Sequence, residues 1–178
     1  MKLTRRNLTE NQSETIPIFM HCVNDVERIG DRAINIFELI SQMPSVENGL
    51  IDPAIMSESE VQNESKFSGR AVVEIREING IISNMAGLLV EGMRNNDEDA
   101  YNKVVELEGE LKNLTSRFER NHESRLKNQD CTVQKGVVFV EILANMERIS
   151  AHLTNLAERA RDMSQHRMAF VNQMAGNK

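Results

Sequence analysis

The sequence uses one helical pattern twice. The stretch Val23-Asn24-Asp25-Val26-Glu27-Arg28-Ile29-Gly30-Asp31-Arg32-Ala33-Ile34-Asn35-Ile36 is echoed by Ala144-Asn145-Met146-Glu147-Arg148-Ile149-Ser150-Ala151-His152-Leu153-Thr154-Asn155-Leu156, 120 residues later. Glu27, Arg28, Ile29, Asn35 and Glu38 find counterparts in Glu147, Arg148, Ile149, Asn155 and Glu158. A repeated stretch identifies one structural unit built twice, and so constrains the fold more than composition does. In the first copy the unit carries a Glu-x-x-x-Asp pair, Glu27 and Asp31; the second copy has Glu147 but Ala151 in place of the Asp.

The rest of the chain reads as further helices. Aromatic residues are only 4% of the 178, tryptophan is absent, and ten methionines are present, which favours packing through Leu, Ile, Val and Met. Apolar spacing predicts a first helix over 16–43, with Phe19, Val23, Val26, Ala33, Phe37 and Ile40 as its buried stripe. Pro17 fits its first turn, and the capping-box spacing from Thr9 allows an earlier start. Pro44 closes it, and a linker with Asn48-Gly49 and Asp52-Pro53 turns follows. A second helix is expected from Ser57, boxed by Glu60, with Val61, Ala71, Ile75, Ile78, Ile82, Met85, Leu89 and Met93 as its stripe.

Asn95-Asn96-Asp97 breaks that helix, and a third follows to Lys127 on Val104, Leu107, Leu111, Leu114 and Phe118. After Asn128-Gln129-Asp130, a fourth is predicted over 132–163, with 164–178 as its frayed end. Long helices with short connections make an all-α, antiparallel, up-and-down bundle of about four helices. Gly30, Gly80, Gly87, Gly92 and Gly109 fall inside helical patterns, where each costs up to about 1 kcal/mol against Ala, so close helix approach is expected at some.

Composition excludes several functions. A net charge of −6 without a basic cluster excludes nucleic acid as the expected partner. No apolar run reaches the roughly 18 residues of a membrane span, and residues 1–15 lack a signal-peptide core, so the chain as given reads as soluble. Cys22 and Cys131 form no CxxC and read as buried thiols in a reducing compartment. There is no phosphate-cradling glycine loop. Carboxylate-bridged metal chemistry in a bundle wants two Glu-x-x-His units, and only Glu119-Arg120-Asn121-His122 has that spacing. His21, His122, His152 and His166 share no expected environment, so phosphotransfer has no support.

The acidic pair admits two readings. About 40° separates Glu27 from Asp31 on a helical wheel, with Asn24 close by, and Asn35 and Glu38 continue the row. Oxygen ligands along a helix–helix groove suit a hard or borderline cation, divalent or transition. The other reading is a solvated flank with Arg28 or Arg32 as counterions. At the second copy metal is not expected: no carboxylate stands beside Glu147, and His152 lies about 140° away around the helix.

The run Asn24-Asp25-Val26-Glu27-Arg28-Ile29-Gly30-Asp31, followed by Asn35-Ile36, resembles the signature helix of PhoU and PhoU-like domains. That family is built of two tandem three-helix bundles, each ending in such a helix. On this resemblance residues 1–56 hold the last helix of an incomplete first repeat plus a linker. Residues 57–178 hold a complete second repeat, and two helices of the first repeat are missing before it. The nearest likeness is to the soluble C-terminal PhoU-like domain of bacterial sodium/phosphate cotransporters.

The resemblance implies metal clusters held by Glu/Asp-x-x-x-Asp motifs on neighbouring helices. Glu27 and Asp31 match an intact motif. Glu108 and Glu147 match the Glu of two others, where Lys112 and Ala151 replace the Asp. Two readings of Lys112 stay open: an ammonium buried between Glu108 and Glu147 in place of the ion, or an ordinary i,i+4 surface pair with Glu108.

The resemblance therefore implies a non-catalytic regulatory or interaction domain linked to sodium-dependent phosphate transport. Its partner would be a membrane transporter domain in cis or another phosphate-transport protein, and its place the cytoplasmic face of the membrane. A stand-alone phosphate-signalling regulator that binds metal is the alternative, and a bundle metalloenzyme a remote one. The first helix could also pair two copies of the chain through its unmatched apolar face, as a homodimer.

Overall fold

The computed structural model describes residues 10–43 and 67–176 and is all-helical there. Four helices follow in order: α1 (Glu10–Ser41), α2 (Gly69–Asn95), α3 (Glu98–Lys127) and α4 (Val133–Gly176). The predicted turns at Asn48-Gly49 and Asp52-Pro53, the Ser57–Glu60 capping box and Val61 lie outside the described residues.

Local chemistry sets the boundaries. Ser68 caps α2 by accepting from the Ala71 amide at 3.3 Å, so this helix starts there rather than running unbroken from Ser57. Phe67 makes the bend before it. Asn96 ends α2 in the left-handed conformation, φ 56°, which Asn tolerates better than most side chains. Asp97 then caps α3 through the Asp99 and Ala100 amides, with Glu98 and Asp99 adding negative charge at the positive helix end. α4 continues to Gly176, past the expected end at Met163.

Two boundaries of α1 differ from expectation. It begins at Glu10, in keeping with the earlier start that Thr9 allowed, and Pro17 therefore stands inside it rather than in its first turn. Pro17 and Ser13 are both exposed, so the carbonyl that proline leaves without an amide faces water.

Helices α2, α3 and α4 alternate in direction and form a three-helix body, with α1 laid antiparallel along α4. The core has two layers. One joins Ala71 and Ile78 to Leu111, Leu114, Phe118, Phe139, Ile142, Leu143 and Met146. The other joins Met85 and Leu89 to Tyr101, Val104, Ile149, Leu153, Leu156, Ala157 and Ala160. Among the glycines predicted to bring helices close, Gly92 does so: a Cβ there would lie 2.6 Å from the Tyr101 ring, whereas Gly30, Gly80, Gly87 and Gly109 face open space. Cys22 and Cys131 are free and only half-buried.

The buried face of α1 is the main correction. Phe19, Val23, Val26 and Phe37 are 59, 47, 59 and 71% exposed, and Ala33 is exposed as well. The helix docks instead through Ile18, Cys22, Asp25, Ile29, Arg32, Ile36 and Leu39, with Met43 just beyond its end. That face is less apolar than the exposed one, and its polar members are accepted because α4 supplies partners for them.

Candidate functional site

The seam between α1 and α4 carries the densest polar chemistry on the repeat helices. Asp25 is 6% exposed, and its carboxylate takes a 2.9 Å hydrogen bond from His152 Nδ1 and an ion pair from Arg159. Burial, then the charges of Arg28 and Arg32, holds the His152 pKa below its ordinary value. The ring is therefore neutral near pH 7 and donates through Nδ1–H, leaving Arg159 as the charge that balances Asp25. Burial also pushes the neighbouring Cys22 thiol up.

Seven residues along each helix the seam meets its own repeat. Asp25 corresponds to Asn145 and His152 to Arg32, so a pseudo-twofold axis relates the pair Asp25–His152 to the pair Asn145–Arg32. The second pair is not closed: Asn145 Oδ1 and Arg32 Nε are both buried without a hydrogen-bond partner among the described residues. They line a groove of about 380 Å³ with Asn35, Glu38, Glu141 and Arg148. Among the described residues, neither Arg32 nor Arg148 has a carboxylate within ion-pairing distance, unlike Arg125 and Arg159. The groove thus offers one unsatisfied donor and one unsatisfied acceptor between α1 and α4.

The expected metal ligands are not gathered into one site. Glu27 and Asp31 are exposed and line a second groove, of about 390 Å³, with Asn24, Arg28 and Arg32. All of these belong to α1, and two guanidinium groups share the space. Among the described residues no group of three or more His, Cys, Asp and Glu is arranged to hold a metal. Glu108 pairs with Lys112 at 2.9 Å, one helical turn apart. The Lys112 pKa lies above its ordinary value, first through the hydrogen bond and charge of Glu108 and lastly through the charge of Glu147. Lys112 does stand between the two acids electrostatically, but its side chain is 53% exposed, so the buried form of that arrangement does not occur. Ala151 is half-buried.

A second polar cluster locks α2 to α3. Arg125 grips Glu74 with two hydrogen bonds, of 3.0 and 2.8 Å, and Asn121 adds a third at 2.9 Å. The guanidinium lies 5.1 Å from the Phe139 ring centre, and His122 tilts over the same ring at 5.3 Å. Gly136 makes room for His122, since a Cβ there would come within 2.4 Å of its Nε2.

Sequence reasoning missed Asp25, His152, Arg159, Arg32 and Asn145. The signal that could have found them is the repeat: at the same offset, the docking positions of α1 answer Ile142, Asn145, Ile149, His152, Leu156 and Arg159 of α4.

The described residues form a helical bundle, and no helix among them is long and apolar enough to cross a membrane. Residues 75–160 match the family model of the PhoU domain. The match takes in most of α2, all of α3 and α4 as far as Ala160. No curated protein and no solved structure matches the chain.

Proposed function

We propose that this chain is a regulatory and interaction domain of phosphate transport, acting through helix-bundle contacts with a transporter domain or another phosphate-transport protein. The PhoU match supports the phosphate side of the reading. The observation that carries the interaction side is the unequal use of one repeat. The positions on α4 that answer Phe19, Val23, Val26, Gly30, Ala33 and Phe37 are Phe139, Leu143, Met146, Ser150, Leu153 and Ala157. All six are at most 6% exposed, beneath α2 and α3. The α1 face is thus of the kind that takes a helical cover, in accord with a second three-helix repeat over 57–178 and the last helix of a first repeat over 1–56. Placement at the inner face of the membrane and a sodium-coupled transporter in cis belong to this reading.

The experiment removes the gene segment encoding this domain and measures phosphate uptake at high and low external phosphate, with sodium and with choline as the counterion. Altered, sodium-dependent uptake is expected. Uptake unchanged under all four conditions refutes the reading.

A second reading, stand-alone phosphate signalling with a metal at Glu27 and Asp31, is favoured by the common groove of Asn24, Glu27 and Asp31. Both acids sit on one helix, so further ligands would have to come from a partner. Titration with Mn²⁺ separates the readings, since binding that disappears in Glu27→Gln and Asp31→Asn supports the metal.

A further inference from the structure

The two ends of the α1·α4 seam treat charge differently. At one end Asp25 is the fixed anion that Arg159 and His152 meet. At the other the repeat sets Asn145 where Asp25 stands and Arg32 where His152 stands, so an amide replaces the carboxylate and a guanidinium the imidazole. Asn145 is 8% exposed; its Nδ2 donates to the Glu141 carbonyl at 2.9 Å, and its Oδ1 accepts from nothing among the described residues. Arg32 Nε, also buried, donates to nothing there. A native fold leaves such atoms unmade for few reasons, among them a bound water or ion.

Charge favours the ion. Arg148 lines the same groove as Arg32, and among the described residues neither has a carboxylate within ion-pairing distance. The acids of the groove, Glu38 and Glu141, stand six residues from Arg32 and seven from Arg148. On antiparallel helices both steps lead the same way, about 10 Å along the groove. The arginine end therefore carries two positive charges and no fixed counterion, in the forked form that suits an oxyanion. This flank is one that a three-helix repeat leaves bare: with α2 and α3 in place, Glu141, Arg148 and Glu158 of α4 are still exposed.

The ion has to serve Asn145 as well. An acceptor is met only by an oxyanion that keeps an O–H of its own. Inorganic phosphate keeps one at neutral pH and sulfate keeps none. A phosphate monoester, with a second pKa of about 6, has mostly lost it.

We propose that the Arg32–Asn145–Arg148 end of this groove binds inorganic phosphate, with the guanidinium groups donating to its oxygens and Asn145 Oδ1 accepting from its hydroxyl. The bound ion joins α1 to α4, as Asp25 does at the other end, and so couples phosphate to the docking of α1. The anion site stands on the seam alone; the choice of phosphate among protonated oxyanions rests on the phosphate-transport reading.

The test is calorimetric titration of the whole chain with sodium phosphate at pH 7.5 and constant ionic strength. Saturable binding is expected, with sulfate and glycerol phosphate weaker by about tenfold or more. Asn145→Asp gives this end the carboxylate that the other end has. It should abolish phosphate binding while Tm holds or rises, since Arg32 gains a partner. Arg148→Gln, at an exposed position, should weaken binding by about tenfold or more, and Glu141→Gln should strengthen it by up to about fivefold. No saturable binding, equal binding of sulfate or glycerol phosphate, or undiminished binding by Asn145→Asp overturns the proposal. Bicarbonate also carries a hydroxyl, and tighter binding of bicarbonate than of phosphate overturns the choice of ion. Binding is read on the chain alone and uptake in the cell, so failure of either experiment leaves the other standing.

Discussion

Helices α1 and α4 share a sequence pattern but not an environment. On α4 the repeat's apolar line is core: Phe139, Leu143 and Ala157 are no more than 1% exposed. On α1 the matching line faces outward, and the helix is held by the opposite flank. The difference follows from what each helix is given to pack against. α4 has α2 and α3 beside it, delivered by a tight Asn96-Asp97 turn and a short link at 128–132. α1 has the back of α4, which already uses its most apolar line. A heptad line therefore reports that a face can be buried, and the neighbours decide whether it is.

The polar contacts of the two regions differ in the same sense. Glu74–Arg125 is a two-pronged, nearly dry pair inside the three-helix body, with side chains 10 and 7% exposed. At the α1·α4 seam Arg159 reaches Asp25 from a position 30% exposed, and a neutral His152 completes the site. Removing one partner of a buried pair leaves a charge without compensation, at a cost of about 3–5 kcal/mol. Arg125→Met is expected to lose that much in urea unfolding. Arg159→Met should lose clearly less, because water and His152 still serve Asp25. Equal losses would mean that α1 is as tightly bound as α3, and the contrast would fail.

The apolar lines give the next test. Leu143→Ala removes a fully buried side chain and should cost about 2–5 kcal/mol. Val23→Ala, its repeat equivalent at 47% exposure, should cost under about 0.5 kcal/mol. A large cost for Val23 would show the α1 face already packed.

Most of the architecture was legible in the sequence, because α2, α3 and α4 carry apolar periodicity on the face they bury, apart from Met93 near the end of α2, which is 51% exposed. The Asn96-Asp97 break, the ends of α3 and the four-helix order followed from the same signals. For α1 the rule misled: its most apolar line is not the one docked, since Asp25 and Arg32 gain partners that no periodicity count can see. The candidate acids were legible as a motif only. Glu27 and Asp31 stand where their helix puts them, while the closed polar contact uses Asp25, two residues away and on another side of the helix. Two helices had to be placed against each other before Asp25, His152 and Arg159 could be read as one unit.

Both regions contain a histidine whose protonation opposes the fold, and pH compares them directly. His122 is lowered from its ordinary pKa by burial and then by Arg125, and His152 by burial and then by Arg28 and Arg32. The unfolded chain then binds more protons than the folded one in this range, so stability rises with pH. This contribution is present above about 6.5 and is lost as pH falls from there through the folded-state values. Tm should drop between pH 7.5 and 5.5. His122→Gln and His152→Gln should each flatten part of that slope, whatever they do to Tm itself. A slope unchanged in both variants would mean that neither ring is held neutral by its surroundings.

The smallest effect is expected at Lys112, one helical turn after Glu108. Its ammonium pairs with Glu108 at 2.9 Å and feels Glu147, yet more than half of the side chain is in water. Exposed pairs of this kind are worth about 0–1 kcal/mol and weaken with salt. Lys112→Met should therefore change stability by no more than that, with the loss shrinking as salt is raised. The sign is informative as well. Removing Lys112 leaves Glu108, whose side chain is only 15% exposed, without the cation that pairs with it and that also feels Glu147. A loss of several kcal/mol, insensitive to salt, would show that Lys112 holds the two acids together in a dry contact between α3 and α4. The contact between α3 and α4 would then contain a buried cation between two acids, where Glu27 and Asp31 of α1 are exposed.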